Sequence, residues 1–481
     1  MGEFKMEAVK CKGVSFTYPK SENSALKNIS LSINEGEFVL MLGASAAGKS
    51  TLLKLLKKEL APHGELEGTV EVNKSAGYVS QNVDESIVCD KVRSELAFGL
   101  TNMGLNANET ELLIAETASY FNLEDKLDCD ISSLSGGEKQ LVNLAAVMIM
   151  KPGILLLDEP CSQLDPVAAE RFVNLVKKLH SDLGITVIIS EHSTNLVYDC
   201  ADSVMLLDKG ELIIMDTPEK TAEYLKEKSH KMYAAVPAKY RLGEYTEKPF
   251  ENSEQKPETA VKCKNLCFAY EKGRNVLSDL DIVIYKNTVN GIIGANASGK
   301  STLMKVLAGV CQKQGGKIKT DLSVSMLTQN VYDLFTKERC GDEVTFGDNT
   351  DFLEIDYIKE RHPYDLSGGE AQRLALAMVL ERNADIILLD EPVKGFDAPL
   401  KEKLGELLRE LCKKGKTVVV VSHDIDFMGT YCEWCSFLSE GKIVTTARRR
   451  DFFSRLSFYT TSLSRLTDGK CVSFEDINEK D

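Results

Sequence analysis

One set of short motifs occurs twice in this chain of 481 residues, and the duplication limits the fold to two similar halves. Each half carries, in the same order, a Gly-rich loop, a glutamine, Leu-Ser-Gly-Gly-Glu, an apolar run ending in Asp-Glu-Pro, and a histidine. Lys49 of the first Gly-rich loop corresponds to Lys300 of the second, and Glu159 corresponds to Glu391. A chain of this length usually forms more than one domain, and the duplication predicts two of similar size.

Short runs rich in β-branched residues alternate with amphipathic segments in both halves. Such runs, bounded by turn-forming residues, indicate buried parallel strands with helices between them. The predicted fold class is therefore α/β, with ligands at the carboxyl ends of the strands. The predicted strands are 38–42, 154–157 and 186–189 in the first half, and 386–389 and 417–421 in the second.

The two halves differ mainly in length between the glutamine and the Ser-Gly-Gly motif, where the second half is shorter by about one helix. We place the first domain at residues 1–225 and the second at 260–481. Residues 226–259 are polar and contain three prolines, which favours a linker. Residues 445–481 are expected to form a polar tail, in which the three arginines at 448–450 occupy a solvated helix face.

Composition excludes several classes of protein. With 73 acidic and 58 basic side chains the formal net charge is −15, which argues against general affinity for nucleic acid. No stretch approaches the roughly 20 apolar residues that cross a bilayer, and the amino terminus lacks the layout of a secretory signal. Thirteen scattered cysteines suit a reducing cytosol, and we interpret the lone pair Cys432 and Cys435 as buried thiols rather than metal ligands.

Both Gly-rich loops fit the pattern G-x-x-x-x-G-K-[ST], each after a predicted strand and before a helical pattern. In such loops backbone N–H groups surround the α- and β-phosphates, the lysine reaches the β- and γ-phosphates, and the serine hydroxyl binds Mg²⁺. The predicted nucleotide-binding residues are Gly43, Ala44, Ser45, Ala46, Ala47, Gly48, Lys49, Ser50 and Thr51, and Gly294, Ala295, Asn296, Ala297, Ser298, Gly299, Lys300, Ser301 and Thr302.

Two adjacent carboxylates end an apolar run in each half. Asp158 and Asp390 are placed to hold Mg²⁺, and Glu159 and Glu391 to orient or deprotonate the attacking water. One such run could be only a polar exit from the core, but its pairing with a phosphate loop in both halves favours catalysis.

The Ser-Gly-Gly motifs open helical patterns at the same spacing before the Asp-Glu pair in both halves. A serine there caps the helix, and the glycines permit close approach of the backbone. These motifs are Ser135-Gly136-Gly137 and Ser367-Gly368-Gly369.

With these motifs, nearly the whole chain resembles the nucleotide-binding subunits of ABC proteins, whose signature motif is the Leu-Ser-Gly-Gly run. The resemblance implies two tandem P-loop NTPase domains, each with a mostly parallel sheet core, a helical subdomain and a small antiparallel β subdomain. It also implies ATP and Mg²⁺ as cofactors and ATP hydrolysis as the activity. The halves are implied to pair head-to-tail, so that each ATP lies between one half's Gly-rich loop and the other half's signature motif.

The resemblance also assigns the remaining site residues. Each half has one residue of each kind. The adenine-stacking aromatics are Tyr18 and Tyr270, and the Q-loop glutamines that sense Mg²⁺ and water are Gln81 and Gln329. The switch histidines are His192 and His423, and the D-loop aspartates are Asp165 and Asp397. A strand tyrosine buried in the core is the alternative for the aromatic residues. The implied metal ligands are Ser50, Gln81 and Asp158 in one half, and Ser301, Gln329 and Asp390 in the other. Neither half has lost a catalytic residue type, so both are expected to hydrolyse ATP.

The sequence departs from the family pattern at two kinds of position. Ala46 and Ala297 stand where the Gly-rich loop usually has its third glycine, and the shared replacement predicts that the site does not require a positive φ. Glu138 and Glu370 end the signature motifs where many relatives have glutamine. We expect that change to be tolerated, because the serine and the backbone make the phosphate contacts.

Residues 81–105 are similar to the ATPases of energy-coupling factor importers, with Val83 and Ser86 as departures from their pattern. This implies as partners a transmembrane coupling protein and a small membrane protein that captures a vitamin or a transition-metal ion. It also implies a location on the cytoplasmic face of the cell membrane, and no nucleic acid partner. Two alternatives stay open: a soluble twin-cassette translation factor on ribosomes, and a fused sugar-importer ATPase. The short, proline-containing segment 226–259 differs from the long charged linker of the ribosomal class.

Overall fold

The computed structural model describes residues 6–19, 21, 23–249, 257–271 and 275–479, and it divides into two compact units. The units are Met1–Pro237 and Ala238–Asp481. The segment 226–259 is therefore shared between the two units, and it contains short helices and a strand as well as loops. The domain boundaries drawn from the sequence stay a prediction.

The first unit alternates strands and helices along most of its length. Its elements are β1 (Glu7–Thr17), β2 (Leu26–Asn34), β3 (Phe38–Leu42), α1 (Lys49–Leu55), β4 (Glu65–Val72), β5 (Ala76–Val79), α2 (Val83–Ser86), α3 (Val92–Asn102), α4 (Ala107–Phe121), α5 (Gly136–Met148), β6 (Ile154–Asp158), α6 (Pro166–Leu183), β7 (Thr186–Ser190), β8 (Ser203–Asp208), β9 (Glu211–Asp216) and α7 (Pro218–Glu227). Short 3₁₀ helices lie at Lys58–Leu60, Glu124–Lys126, Ile131–Ser133, Tyr198–Cys200 and Lys231–Ala235.

The main sheet of the first unit has six strands in the order β5-β6-β7-β3-β8-β9. Neighbouring strands are parallel except β9, which runs antiparallel to β8. Every residue of β3, β6 and β7 is buried, as expected for parallel strands covered on both faces. A separate antiparallel sheet has the order β2-β1-β4. The predicted α/β class and the buried parallel strands are confirmed.

The second unit repeats this plan and adds elements at both ends. Its elements are α8 (Ala238–Arg241), β10 (Tyr245–Glu247), β11 (Thr259–Phe268), β12 (Leu277–Tyr285), β13 (Val289–Ile293), α9 (Lys300–Leu307), β14 (Gly315–Lys319), β15 (Val324–Leu327), α10 (Cys340–Glu343), α11 (Asp348–Phe352), α12 (Gly368–Glu381), β16 (Ile386–Asp390), α13 (Ala398–Lys413), β17 (Thr417–Val421), α14 (Ile425–Tyr431), β18 (Trp434–Ser439), β19 (Lys442–Arg448), α15 (Arg449–Phe453), α16 (Ser462–Leu466) and β20 (Ile477–Glu479). Its 3₁₀ helices are Val331–Leu334, Asp356–Ile358, Pro363–Asp365 and Phe474–Asp476.

The sheets of the second unit match those of the first. Six strands lie in the order β15-β16-β17-β13-β18-β19, and a three-stranded antiparallel sheet has the order β12-β11-β14. Two short strands, β10 and β20, form an additional antiparallel pair. Between the glutamine and the signature motif the two units differ as predicted: α3 and α4 contain 11 and 15 residues, whereas α10 and α11 contain four and five.

The carboxyl-terminal segment is folded rather than a polar tail, so that prediction is wrong. The Phe452 and Phe453 side chains of α15 are buried in the core of the second unit. Arg449 has only 18% of its side chain exposed, because it forms ion pairs with Glu475 at 3.0 Å and with Asp476 at 2.8 Å. The arginines therefore do not occupy a solvated helix face. Their acidic partners lie far along the chain, so no local sequence pattern reveals them.

The pair Cys432 and Cys435 consists of two buried free thiols. Cys432 Sγ contacts Met428 Sδ at 3.7 Å, and burial raises the pKa of the Cys435 thiol. Throughout the described part of the chain, no group of three His, Cys, Asp or Glu side chains is arranged to hold a metal ion by itself. The predicted burial of both thiols is confirmed.

Candidate functional site

The first Gly-rich loop connects β3 to α1, and its lysine holds the loop closed. Lys49 is buried, and its Nζ donates hydrogen bonds to the carbonyl oxygens of Gly43 at 2.7 Å and Ala44 at 3.1 Å. Gly43 leaves no space for a side chain, because a Cβ there would lie 2.6 Å from Leu207 O of β8. Gly48, immediately before α1, has a φ of 99°, which only glycine adopts readily.

The second loop, between β13 and α9, has the same construction. Lys300 Nζ donates to Gly294 O and Ala295 O, both at 2.9 Å. Gly299 has a φ of 105° and begins the turn into α9. In each unit the buried lysine donates hydrogen bonds to carbonyl groups of its own loop. The loop is therefore preformed, and its backbone curves around the lysine ammonium group. This arrangement fits the phosphates of a nucleotide.

The prediction that Ala46 and Ala297 do not require a positive φ is wrong. Their φ values are 60° and 59°, in the left-handed region at equivalent points of the two loops. An L-residue costs about 1–2 kcal/mol there, and glycine avoids this cost. The loop geometry thus demands the left-handed conformation, and alanine tolerates it at a penalty. Sharing a residue type between two sites reveals nothing about the dihedral angle that both sites impose.

Asp158 ends β6 beside the first loop and is surrounded by hydroxyl donors. Ser50 Oγ and Ser190 Oγ donate to its Oδ1 at 3.1 and 2.8 Å, and Tyr78 Oη donates to its Oδ2 at 3.0 Å. The structure therefore brings the predicted metal ligands Ser50 and Asp158 together. Tyr78 and Ser190 were not singled out by motif, although Ser190 directly precedes the predicted switch segment.

Asp390 occupies the same place at the end of β16, where the Ser301 hydroxyl lies beside it but two of the three donors have no counterpart. By strand register Met326 replaces the tyrosine and Val421 replaces the serine. Among the described residues, neither buried carboxylate oxygen of Asp390 receives a hydrogen bond of normal geometry. Burial raises the pKa of Asp390 to about 6, although the Ser301 hydroxyl and the charge of Lys300 act in the opposite direction. A buried carboxylate with so few hydrogen-bond donors is costly, and a divalent cation would satisfy it. The residues present therefore fit Mg²⁺.

Glu159 and Glu391 follow these aspartates and have a left-handed backbone, with φ values of 47° and 55°. Such strained conformations in non-glycine residues are concentrated at functional sites. In the first unit, Gln81 Nε2 donates to Glu159 Oε2 at 2.8 Å, and His192 Nε2 lies 2.7 Å from Glu159 Oε1. The structure thus joins the predicted glutamine, glutamate and histidine of the first half in one cluster.

The second unit holds its glutamate differently. Ser422 Oγ and the backbone N–H of His423 donate to Glu391 Oε2 at 3.2 and 3.1 Å, and His423 Nε2 lies 3.4 Å from Oε1. Burial raises the pKa of Glu391 to about 7, which suits a group that accepts a proton near neutral pH. Gln329 is exposed, and within the described residues no hydrogen bond joins its side chain to Glu391.

The signature motifs cap their helices as predicted. Ser135 and Ser367 each accept a hydrogen bond from the backbone N–H of the glutamate three residues later, at the start of α5 and α12. The unusual glutamates are neutralised by nearby cations. The hydrogen bond from Lys126 lowers the pKa of Glu138 to about 2, and Arg361 lies 2.9 Å from Glu370. The head-to-tail contact of these motifs with the other half's nucleotide stays a prediction.

The two predicted adenine-stacking tyrosines lie on the surface, so their alternative assignment to the core is wrong. Tyr18 and Tyr270 are exposed. Each shares a hydrogen bond with the threonine that follows the loop serine, Thr51 at 3.0 Å and Thr302 at 3.3 Å. Each ring also packs edge-on against a phenylalanine two residues earlier. An exposed ring tethered beside the phosphate loop is available for stacking on a base.

A glycine-rich loop closed by a buried lysine, next to an Asp-Glu pair at the end of an adjacent parallel strand, defines a P-loop nucleoside triphosphatase. Two such sites occur, one in each unit. A family profile described as ABC transporter matches residues 26–162 and 277–394. The chain belongs to the ABC transporter family and is a tandem ABC ATPase that binds ATP.

Relatives of similar length carry the same arrangement. The chain is 35% identical to a protein of Bacillus anthracis provisionally named an ABC transporter ATP-binding protein, over 97% of both chains. It is 29% identical to a similarly named protein of Methanosarcina mazei, over 91% of this chain and 88% of that protein. Among solved structures, it resembles an archaeal ribosome recycling factor in complex with a ribosomal stalk protein, with a TM-score of 0.66 and 25% identity, over 92% of this chain and 91% of that one.

Proposed function

We propose that this chain is the energy-coupling ATPase of an importer of the energy-coupling factor type, which drives uptake of a vitamin or a transition-metal ion through separate membrane subunits. One observation carries the proposal. Gln81, which begins the segment similar to those importers, is bonded directly to Glu159. A partner that moves this segment would therefore move the group that positions the catalytic carboxylate.

In each site, the loop N–H groups and the buried lysine bind the phosphates of ATP. Ser50 and Asp158 in the first unit, and Ser301 and Asp390 in the second, would hold Mg²⁺. When bound, the ion neutralises charge on the β- and γ-phosphates. Glu159 or Glu391 orients the attacking water and accepts its proton, and the switch histidine fixes the carboxylate.

ATP binding is proposed to close the two halves, and hydrolysis to open them. Moving such an equilibrium from 1:99 to 99:1 requires about 5.5 kcal/mol of differential affinity. Contacts of Ser135-Gly136-Gly137 and Ser367-Gly368-Gly369 with the nucleotide of the opposite half are the proposed source. Loss of the γ-phosphate removes these contacts, and the two halves separate. This separation is proposed to move the membrane partner.

The proposed catalytic roles are tested by replacing each glutamate separately. Glu159→Gln and Glu391→Gln preserve side-chain size but remove the group that accepts the proton. Each change is expected to lower steady-state ATP turnover of the full chain while ATP binding is retained. An unchanged turnover rate in either variant would contradict hydrolysis at both sites.

The proposed docking segment follows Gln81 and exposes large apolar side chains. Val88, Phe98 and Met103 are 64%, 44% and 60% exposed. Large apolar side chains in water are candidates for burial against a protein partner. The proposal places the coupling protein on these side chains, because they belong to the segment that begins with Gln81, and Gln81 is bonded to Glu159.

This docking surface can be tested with a charged substitution. Phe98→Asp is expected to abolish recovery of integral membrane proteins with the tagged chain from detergent-treated membranes, whereas basal ATPase activity persists. Leu66→Asp is the matched control, since Leu66 is 49% exposed on β4 of the other sheet. Equal recovery with both variants would reject the surface. The absence of any coupling protein from the wild-type sample would reject the importer.

The chain is proposed to work at the cytoplasmic face of the cell membrane, attached through its partners. Across the described ranges, no helix has the length and apolar character needed to cross a bilayer. The proposal supplies attachment through membrane subunits that are separate chains. Fractionation with and without those subunits tests this location.

A second candidate is a twin-cassette factor that acts on ribosomes. The likeness to the archaeal recycling factor over 92% of the chain favours it. The net charge of −15 opposes it, because ribosome binding requires neutralisation of RNA phosphates. Co-sedimentation with ribosomes at moderate salt, together with failure to recover membrane proteins, would replace the importer proposal with this one.

A further inference from the structure

The two catalytic sites differ at the residue that follows the strand beside the Asp-Glu pair. In the second unit this residue is Ser422, directly after β17, and its hydroxyl donates to Glu391. In the first unit the equivalent residue is Glu191, directly after β7, since Asp158 pairs with Ser190 as Asp390 pairs with Val421. A serine that binds the catalytic carboxylate is thus replaced by a second carboxylic acid.

Glu191 makes a different contact from that of Ser422. Its Oε1 accepts a hydrogen bond at 2.8 Å from the backbone N–H of Cys161, in the turn that follows Glu159. Glu191 is buried, and the groups that face it are the Cys161 thiol, Glu159 and the His192 backbone. Burial first, and then the charge of Glu159, raise the pKa of Glu191 to about 8. Two neighbouring buried acids can coexist when one retains its proton.

The catalytic glutamate of the first site has different partners from that of the second. Glu159 is bonded to Gln81 through Oε2 and lies beside His192 through Oε1. Glu391 instead receives two hydrogen bonds at Oε2 from residues 422 and 423. The first carboxylate is therefore held by the Q-loop glutamine and the switch histidine, and the second by residues at the end of a buried strand.

We propose that Glu191 is a positioning residue of the first site. It anchors the turn after β6 and leaves Glu159 to be held by Gln81. Hydrolysis therefore depends on the Q-loop glutamine at the first site and not at the second. The inference rests on the proposed catalytic roles of Glu159 and Glu391. It makes the first site the one whose chemistry responds to movement of residues 81–105.

The test compares the glutamine dependence of the two sites in the full chain. Turnover of the first site is measured in Glu391→Gln, and turnover of the second in Glu159→Gln. Gln81→Ala is expected to lower kcat of the first site by about tenfold with little change in KM, the loss of one hydrogen bond to a charged group. Gln329→Ala is expected to lower kcat of the second site by less than about threefold, because the described residues there include no bond from the glutamine to Glu391.

Variants at the distinguishing position then exchange the behaviour of the sites. In Glu191→Ser, Gln81→Ala should cost less than about threefold, since serine can bind Glu159 directly. Ser422→Glu is the reciprocal change and should make the second site depend on Gln329. Glu191→Gln keeps an oxygen that accepts from Cys161 N–H, so the dependence on Gln81 should be retained. If silencing one site stops the other, the same variants are compared in the unsilenced chain.

Equal glutamine dependence of the two sites would overturn the inference, as would an unchanged dependence in both exchanged variants. Thermal unfolding identifies a variant that fails to fold. If Glu191→Ser does fail, Ser422→Glu and Glu191→Gln decide the question. By contrast, unchanged turnover in both Glu159→Gln and Glu391→Gln would reject the proposed function itself, whatever the result at residue 191.

Discussion

The alanines at the left-handed points of the two phosphate loops should be weak points that glycine repairs. Ala46 and Ala297 have φ values of 60° and 59°, and both are exposed, so removing the methyl group loses no packing. The left-handed conformation costs an L-residue about 1–2 kcal/mol. Glycine avoids that cost but loses about 0.4–1 kcal/mol through greater freedom in the unfolded chain. The net gain expected for each change is about 0.5–1 kcal/mol.

Calorimetric unfolding of the full chain measures this gain. For units of this size, 1 kcal/mol shifts the midpoint by about 2–4 °C, so Ala46→Gly should raise the midpoint of its unit by about 1–4 °C. Ala47→Gly is the matched control, because Ala47 is buried in the adjacent core and has no positive φ. It should lower the midpoint. Equal destabilisation by the two neighbouring changes would refute the argument from the dihedral angle.

Three further outcomes follow from the geometry. Burial raises the pKa of Glu191 from its ordinary value of 4.5 to about 8, so between these pH values the native state holds a proton that the unfolded state has lost, and stability falls as pH rises through this window. Glu191→Gln should therefore stabilise the chain more at pH 8 than at pH 5 in denaturant titrations, and an equal effect at both pH values would contradict the burial argument. Gly43→Ala places a methyl group 2.6 Å from Leu207 O and should destabilise by about 1–3 kcal/mol, whereas Gly136→Ala meets open space and should not; thermal shift assays compare the two. Ser135→Ala removes the cap of α5 and should cost about 1 kcal/mol in the same assay, and no change would show that the cap is replaced by water.

Local sequence patterns were sufficient for the parallel core and for the individual motifs. The apolar runs at 38–42 and 154–157 became fully buried strands, because both faces of a parallel sheet must be covered. The pairing of Ser50 with Asp158 was predictable as well, since both lie at the carboxyl edge of that sheet. These features depend on residues close together in sequence, so a single sequence is sufficient to predict them.

The surroundings of the motifs were not predictable in the same way. Met326 in place of Tyr78 leaves Asp390 without the hydroxyl that Asp158 has, but the exchange lies in a strand with no motif. Likewise, the sequence predicts that the arginines at 448–450 are solvated, whereas in the folded chain Glu475 and Asp476 lie beside them. Such contacts join residues distant in sequence, and only the folded chain determines them.

The sequence by itself determined the class of this protein: two phosphate loops, two Asp-Glu pairs and two signature motifs in the same order. These positions use specific residue types, because phosphate binding and water activation tolerate few substitutes. Tertiary structure decided how the glutamate proposed to be catalytic is held in each half. Glu159 and Glu391 are the same residue in the same motif, yet one is bonded to Gln81 and the other to Ser422. The two glutamates have different partners because the sequence specifies only the residue type at each position. The hydrogen-bond partners lie on separate strands and loops, which come together only on folding.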